Sequence, residues 1–352
     1  MRADRFTLAG DTRTRSEKHV FQVRNMSGKP IAREWSAKEI QSFVRDLESL
    51  QGGGFAAAAL VGCGERAIGP LRSFLLDGQP RGIFQPRQLA VETLAELGAK
   101  DILIEYLLQS RKIEDSAIRF GEDAVLSTAA RELGRWKTED VYEALKKISN
   151  DRLLTGIVES LGAFARQDSI SYFLWALGDG ICRQAAEDAL HKIGETARPR
   201  LLEAARNPNP SAEDEGPSSL QRRRKVLQIL AELLPSITDW EALRPLLDEN
   251  DAEIVVATAR MGLKICPPND RQFAIQRVIE ALPSADSFVQ TEARKCLAEN
   301  FSIAQPQVDA EIARRCTASH KERGLDVVLR LLVNLEAAMC KERTKTDARP
   351  HE

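Results

Sequence analysis

Two stretches of this sequence share one pattern: LVGCGERAIGPL at residues 60–71 and LHKIGETARPRL at residues 190–201. Two leucines, a glycine, a glutamate and an alanine fall at matching positions. In each copy an apolar run ends at a glycine, which can adopt the left-handed conformation that closes a helix. The glutamate follows near the start of the next helix, where it interacts favourably with the helix dipole. The shared pattern therefore predicts the same helix–turn–helix unit at two places in the chain.

Weaker copies of this pattern lie between the two stretches. Glycines that we expect to end a helix recur at Gly64, Gly98, Gly134, Gly162 and Gly194, with gaps of 28 to 36 residues. Such a period is typical of stacked helical hairpins, because each hairpin buries its apolar face against its neighbours. Toward the C-terminus apolar residues still recur every three or four positions, although the glycines become rare. The spacing predicts about eight hairpins in one continuous stack.

These paired helices resemble HEAT-type repeats, which belong to the armadillo-like class, over residues 36–340. In the segment LGDGICRQAAEDALHKIG, Asp179 and Arg183 match the aspartate of the turn and the arginine of the second helix that members of this family commonly carry. Most of the other hairpins lack that pair, so the resemblance extends to the fold and not to a subfamily. It implies an all-α fold, a right-handed α-α superhelix whose second helices line the concave side.

The composition agrees with a helical protein that has no bias toward membranes or nucleic acid. Hydrophobic residues make up 43% of the chain and charged residues 29%, which is enough apolar surface for a sizeable core. The formal charge of -2 provides no overall attraction to anionic partners. No apolar run reaches the roughly 18 to 20 residues of a membrane span, and the first residues do not form a signal peptide. Because the six cysteines are widely separated, we expect reduced thiols and a cytoplasmic protein.

Composition shifts divide the chain into five segments. Residues 1–34 carry eight arginines and lysines against four acidic residues, which predicts a partly ordered basic tail or, alternatively, an arm that binds a partner. Residues 35–206 hold the first set of HEAT-like repeats. Residues 207–218, NPNPSAEDEGPS, are predicted to be an inserted loop because they are rich in Pro, Asn and Ser. Residues 219–340 hold degenerate repeats, and we expect residues 341–352 to be a disordered tail.

The sequence contains no recognisable catalytic or metal-binding motif. Its four histidines lie far apart, and none has a cysteine or carboxylate at the spacing of a metal site. HEAT-like di-iron hydroxylases carry several His-Glu pairs, whereas this chain has one, His351-Glu352. The Gly62-Cys63-Gly64 segment lacks the further glycine of a dinucleotide-binding loop. We therefore expect no catalytic residues, no metal and no cofactor.

One run of cations is a candidate binding site. Arg222, Arg223, Arg224 and Lys225 begin a predicted helix directly after the acidic segment 213–215. Cations at the N-terminus of a helix oppose its dipole, so this run needs compensation. Either the acidic segment folds back and neutralises the run, or the run binds an anion or an acidic partner. The other charged candidates on predicted second helices are Arg131, Arg135, Arg183 and Glu187.

A long surface of mixed charge without catalytic residues is typical of a protein-interaction scaffold or adaptor. Two alternatives come from the resemblance. HEAT-like DNA glycosylases use a basic concave face, but here Arg131 and Arg135 are accompanied by Glu92, Glu96 and Glu159, too near neutrality to hold many phosphates. Some bilin lyases also resemble these repeats, yet no residue here specifically indicates bilin chemistry. The sequence thus predicts protein partners, with nucleic acid as the less favoured ligand.

Overall fold

The computed structural model describes residues 35–49, 51–109, 111–208, 215–233, 236–319 and 327–347, and within these ranges the chain forms helices and no strands. The all-α class predicted from the sequence is therefore confirmed. The α-helices in chain order are α1 Ala37–Asp46, α2 Gly53–Gly62, α3 Ile68–Leu76, α4 Gln85–Glu96, α5 Lys100–Leu108, α6 Ser116–Leu133, α7 Glu139–Ser149, α8 Thr155–Phe164, α9 Ile170–Ala176, α10 Arg183–Ile193, α11 Arg198–Arg206, α12 Pro217–Glu232, α13 Trp240–Leu243, α14 Ala252–Ile265, α15 Pro268–Ala281, α16 Ser287–Glu299, α17 Phe301–Ser319 and α18 Val327–Asp347.

The helices pack as hairpins in two layers. Each odd-numbered helix pairs with the even-numbered helix that follows it, from α1–α2 to α17–α18, so the described ranges hold nine hairpins. The even-numbered helices pack in sequence on one another and form one layer, while the odd-numbered helices form the other. We call the even-numbered helices the second helices, and the outward surface of their layer the second-helix face. The apolar core lies between the layers and runs along the whole stack.

The repeated sequence pattern forms the same structure in both places. Gly64 and Gly194 have φ angles of 61° and 64°, and each begins a short 3₁₀ turn that leads into the next helix. Gly98 ends α4 in the same left-handed conformation, with φ of 73°. The apolar positions that match between the two copies are all buried: Leu60 and Leu190, Ala67 and Ala197, Leu71 and Leu201. The pattern therefore repeats because each copy joins one hairpin to the next.

Two of the five glycines have a different role from the one predicted. Gly134 follows α6 but keeps a right-handed conformation, and the positive φ of that turn belongs to Lys137. Gly162 lies inside α8, which ends at Ala165 with φ of 52°. A β-carbon at Gly162 would lie 2.8 Å from the Cβ of Ala189, so this glycine allows α8 and α10 to pack closely. Steric fit between second helices explains Gly162 better than helix termination.

Several predicted boundaries differ from the helix ends. Helix α12 begins at Pro217, two residues inside the predicted inserted loop 207–218. Helix α18 continues to Asp347, so the predicted tail 341–352 is helical over its first part. The predicted N-terminal tail, residues 1–34, lies outside the described residues. In the second half of the stack, Asp251 and Asp286 cap the N-termini of α14 and α16.

The cysteines and the hydrophobicity of the helices are relevant to the predicted cytoplasmic location. Cys182, Cys266 and Cys296 are buried free thiols, as expected, whereas Cys63 is half-buried and Cys316 is exposed. Among the described helices, none combines the length and the apolar character required to cross a membrane.

Candidate protein-interaction surface

Arg223, at the centre of the cation run, is an internal residue. Its side chain is 1% exposed and lies where α12 meets the end of α11. It donates hydrogen bonds to the Ala205 carbonyl at 2.7 Å, to Glu215 Oε2 at 2.5 Å and to Glu249 Oε1 at 2.6 Å. These bonds give Arg223 a structural role at the junction of α11 and α12. Its contact with a partner, which the sequence suggested, stays a prediction.

The other cations of the run are also bonded within the chain. Arg222 donates to the Asn207 carbonyl at 2.7 Å. Lys225 forms an ion pair with Glu187 of α10 at 3.0 Å, which brings two predicted site residues together. Arg224 lies 2.5 Å from Asp251 Oδ2 and 3.1 Å from Glu253 Oε2, and the hydrogen bond that it donates to Asp251 raises the pKa of Arg224. Acidic residues of the neighbouring second helices thus neutralise much of the run. Of the acidic segment, Glu215 takes part, while residues 213 and 214 lie outside the described ranges.

The same kind of pairing extends along the second-helix face. Several arginines and lysines of the second helices bind a carboxylate of a neighbouring second helix, and each such pair reduces the positive potential available to a polyanion. Arg135, two residues beyond the end of α6, instead pairs with Glu132 of α6 at 2.6 Å. The pairs between helices are Arg131–Glu159 at 2.6 Å, Lys225–Glu187 at 3.0 Å, Arg224–Glu253 at 3.1 Å, Arg260–Glu292 at 2.6 Å and Arg260–Glu299 at 3.1 Å.

The Asp179 and Arg183 pair, which supported the resemblance, stabilises a turn within a hairpin. The Asp179 carboxylate accepts hydrogen bonds from the backbone N–H groups of Ile181 and Cys182, at 2.9 and 2.8 Å. Arg183 donates to the Leu177 carbonyl at 3.2 Å, at the end of α9. Both side chains satisfy backbone groups that helix termini leave without partners. This geometry gives Arg183 a structural role beside the binding role that we predicted from the sequence.

A buried polar cluster in the first part of the stack was not predicted. Arg87 and Glu122 join α4 to α6 through two hydrogen bonds of 3.1 Å, and each side chain is only about 5% exposed. Arg87 also donates to the Leu75 carbonyl at 2.9 Å, and Tyr106 donates to Glu122 at 2.8 Å. Burial, followed by the nearby Glu122 carboxylate, raises the pKa of Tyr106. These hydrogen bonds pair the buried polar groups with one another inside the core. The cluster therefore stabilises the packing of α3, α4 and α6.

Glu92 and Glu96 of α4 lie near Glu132 of α6, and Glu132 also pairs with Arg135. Burial raises the pKa of Glu92, and the neighbouring Glu132 and Glu96 raise it further. Burial also raises the pKa of Glu132, although Arg135 and Arg131 oppose that shift. This part of the second-helix face is therefore acidic, in contrast to the basic concave face of a DNA-binding repeat protein.

The second-helix face also contains an apolar notch, which sequence reasoning missed. It is a depression of about 80 Å³ between α12, α14 and α16, and Phe288 at its edge is 49% exposed. Half-exposed aromatic side chains beside a depression are a common feature of protein-binding sites. We call this depression the Phe288 notch. Its apolar lining residues are Leu227, Ala231, Val256, Ala257, Phe288 and Val289.

A larger cavity of about 600 Å³ opens between α9, α11 and the start of α12. Trp175 lines this cavity and is 47% exposed. Trp240 is buried, and Trp136 packs partly buried against the core. Pro208, the last described residue before the gap at 209–214, also lines the cavity.

In the described part of the chain, no three His, Cys, Asp or Glu side chains are grouped so that they could hold a metal ion. Comparison with protein-family models and with curated proteins gave no match. The fold and the surface therefore define the class of this protein: an all-α protein built from stacked helical hairpins.

Proposed function

We propose that this chain is a HEAT-like scaffold or adaptor that binds protein partners through its second-helix face. The observation that supports this most is the Phe288 notch, because it places open apolar surface beside ion pairs such as Arg260–Glu292. Burial of apolar surface drives most protein association, and half-exposed aromatic residues often anchor it. The buried free thiols Cys182, Cys266 and Cys296 support a reducing compartment such as the cytoplasm.

The pairing of charges favours a protein over nucleic acid as the ligand. To bind a phosphate, Arg131, Arg224 or Arg260 would first have to leave a carboxylate at 2.5 to 3.1 Å. That exchange removes much of the electrostatic gain on which non-specific nucleic-acid binding depends. A protein partner can keep these pairs and bind the apolar surface between them.

A comparison of captured proteins tests this proposal. The immobilised full chain, its Phe288→Ala variant and its Lys147→Ala variant are each incubated with extract, and recoveries are measured by quantitative mass spectrometry. Lys147 is an exposed residue of α7, in the other layer, and is the matched control. We expect specific proteins whose recovery falls with Phe288→Ala and is unchanged with Lys147→Ala. Equal recoveries from all three chains, together with steeply salt-dependent binding of duplex DNA, would overturn the proposal.

A further inference from the structure

The Phe288 notch has the size and lining of a receptor for one apolar side chain. Its walls are branched or aromatic residues of three successive second helices, while Ala231 and Ala257 are small and leave the depression open. Ala231 is exposed at the end of α12, and Phe288 lies in the first turn of α16. A groove between parallel helix ridges accommodates another helix, whose side chains insert at spacings of three and four residues.

The charged residues that line this notch are two carboxylates, Glu253 and Glu292, and one guanidinium group, that of Arg260. Arg224 is shared between Asp251 and Glu253, and Arg260 is shared between Glu292 and Glu299. Asp286, at the start of α16, adds a further carboxylate close to Arg224. Lys264 and Lys295 follow about one turn beyond Arg260 and Glu292 along their helices. The rim nearest the notch thus carries an excess of negative charge.

Burial is the main cause that raises the pKa of Glu253; Asp251 and Asp286 raise it further, while Arg224 and Lys225 oppose the shift. A positive charge brought to this rim by a partner would be attracted to its carboxylates.

From this geometry we infer that the partner inserts an amphipathic helix at the Phe288 notch, with one aliphatic or aromatic side chain in the notch and lysine or arginine side chains against the surrounding carboxylates. This inference rests on the proposed function and specifies the chemistry of the partner. Apolar contact supplies the affinity, and the basic flank selects the orientation and excludes acidic helices.

Two synthetic peptides test the inference with the full chain. Both form amphipathic helices with the same leucine stripe and a fluorescein label, and they differ only in flanking lysines or flanking glutamates. Fluorescence anisotropy gives the Kd of each peptide at moderate salt. We expect the lysine-flanked peptide to bind at least about tenfold more tightly than the glutamate-flanked peptide, which is a difference of about 1.4 kcal/mol.

Two variants of notch residues test whether the peptide binds at the Phe288 notch. Ala231→Gln narrows the depression without a charge, and Phe288→Ala removes its wall; each should weaken the lysine-flanked peptide about tenfold or more. Ala163→Gln makes the same change in α8, a second helix outside the notch, and should leave the Kd unchanged. Circular dichroism confirms that each variant stays helical.

The outcomes separate the inference from the proposed function. If both peptides bind equally well and both depend on Phe288, the inference that the partner is basic is refuted. The notch then remains a protein-binding site. If neither peptide binds, or if binding is insensitive to both notch variants, the inference is overturned. The capture experiment with the Phe288→Ala and Lys147→Ala variants then tests the proposed function independently.

Discussion

At the scale of single residues, the informative positions are charged side chains that occupy an apolar stripe. Arg87 precedes Ala90, Val91 and Leu94 at spacings of three, four and seven residues, the spacing of one buried helix face. Glu122 and Arg223 occupy the same kind of position on α6 and α12, so their burial could have been predicted from the sequence. Their partners could not, because Glu122 lies 35 residues from Arg87 and only the register of the stack brings them together.

Breaking the buried pair should cost much stability. Glu122→Leu leaves the Arg87 guanidinium in the core without its carboxylate, and we expect the free energy of unfolding to fall by about 3 to 5 kcal/mol. The double variant Arg87→Met, Glu122→Leu should recover much of this loss, since no buried charge remains. Urea titration followed by circular dichroism measures both. Glu159→Gln, which breaks the exposed pair with Arg131, is the control and should change stability by no more than about 1 kcal/mol.

Glu92 should make stability depend on pH in a direction opposite to that of most carboxylates. Its pKa is raised in the folded chain, by burial and then by Glu132 and Glu96, so its charged form is disfavoured at neutral pH. Glu92→Gln should therefore stabilise the protein at pH 7. This advantage should decrease as the pH falls through the raised pKa and disappear below about pH 4.5, where the carboxyl is protonated in both states.

Thermal unfolding of wild type and Glu92→Gln between pH 4 and pH 8 measures the difference, with the exposed Glu143→Gln as a control. An advantage of Glu92→Gln that grows as the pH is lowered would contradict the assignment.

At the scale of helices, glycines and apolar spacing in the sequence predicted many of the helices and turns. The roles of other glycines depend on how closely neighbouring helices pack. Left-handed glycines, such as Gly64 and Gly194, mark helix ends in the sequence because few other residues tolerate that conformation. A glycine that allows two helices to pack closely cannot be distinguished in the sequence from a glycine that ends a helix. Gly162 is one, and Gly156 is another, since a β-carbon there would lie 1.8 Å from the Ser127 carbonyl oxygen of α6. That distinction needs the neighbouring helix, which the sequence does not show.

One substitution at two glycines should therefore have opposite effects. Gly156→Ala places a methyl group against the backbone of α6, and we expect a loss of about 1 to 3 kcal/mol or more from overpacking. Gly69→Ala, in α3, meets open space and should stabilise the protein by roughly 0.5 to 1 kcal/mol. Chemical denaturation of both variants provides the comparison. Equal effects of the two substitutions would mean that α6 and α8 are not in close contact.

At the scale of the whole molecule, each hairpin depends mainly on its neighbours. Helices contact those next to them in the stack, so stability is close to a sum of local terms. The Phe288 notch follows from the same arrangement. Its lining comes from three hairpins between Leu227 and Val289, and no local motif in the sequence marks it. The sequence could therefore predict the stack and the balanced charge of its face, but not the place where apolar surface remains open.

Local stability should be visible in hydrogen exchange. In Glu122→Leu, the amides of α3 to α6 should exchange faster than in wild type, because that hairpin pair loses its buried link. The amides of α14 to α16, several hairpins away, should keep their protection. Mass spectrometry of peptides after exchange resolves the two regions. A uniform rise along the chain would show that the stack unfolds as one cooperative unit.

Site-specific photocrosslinking tests whether partners bind the second-helix face. A photoreactive side chain is introduced singly at position 291, an exposed position one turn beyond Phe288 on α16, and at position 147 in the other layer, and adducts are identified after irradiation. We expect a discrete protein adduct from position 291 that disappears when Phe288 is changed to alanine, and no such adduct from position 147. The same adduct from position 147 alone, or an adduct from position 291 that persists in the Phe288→Ala chain, would show that partners do not bind at this face.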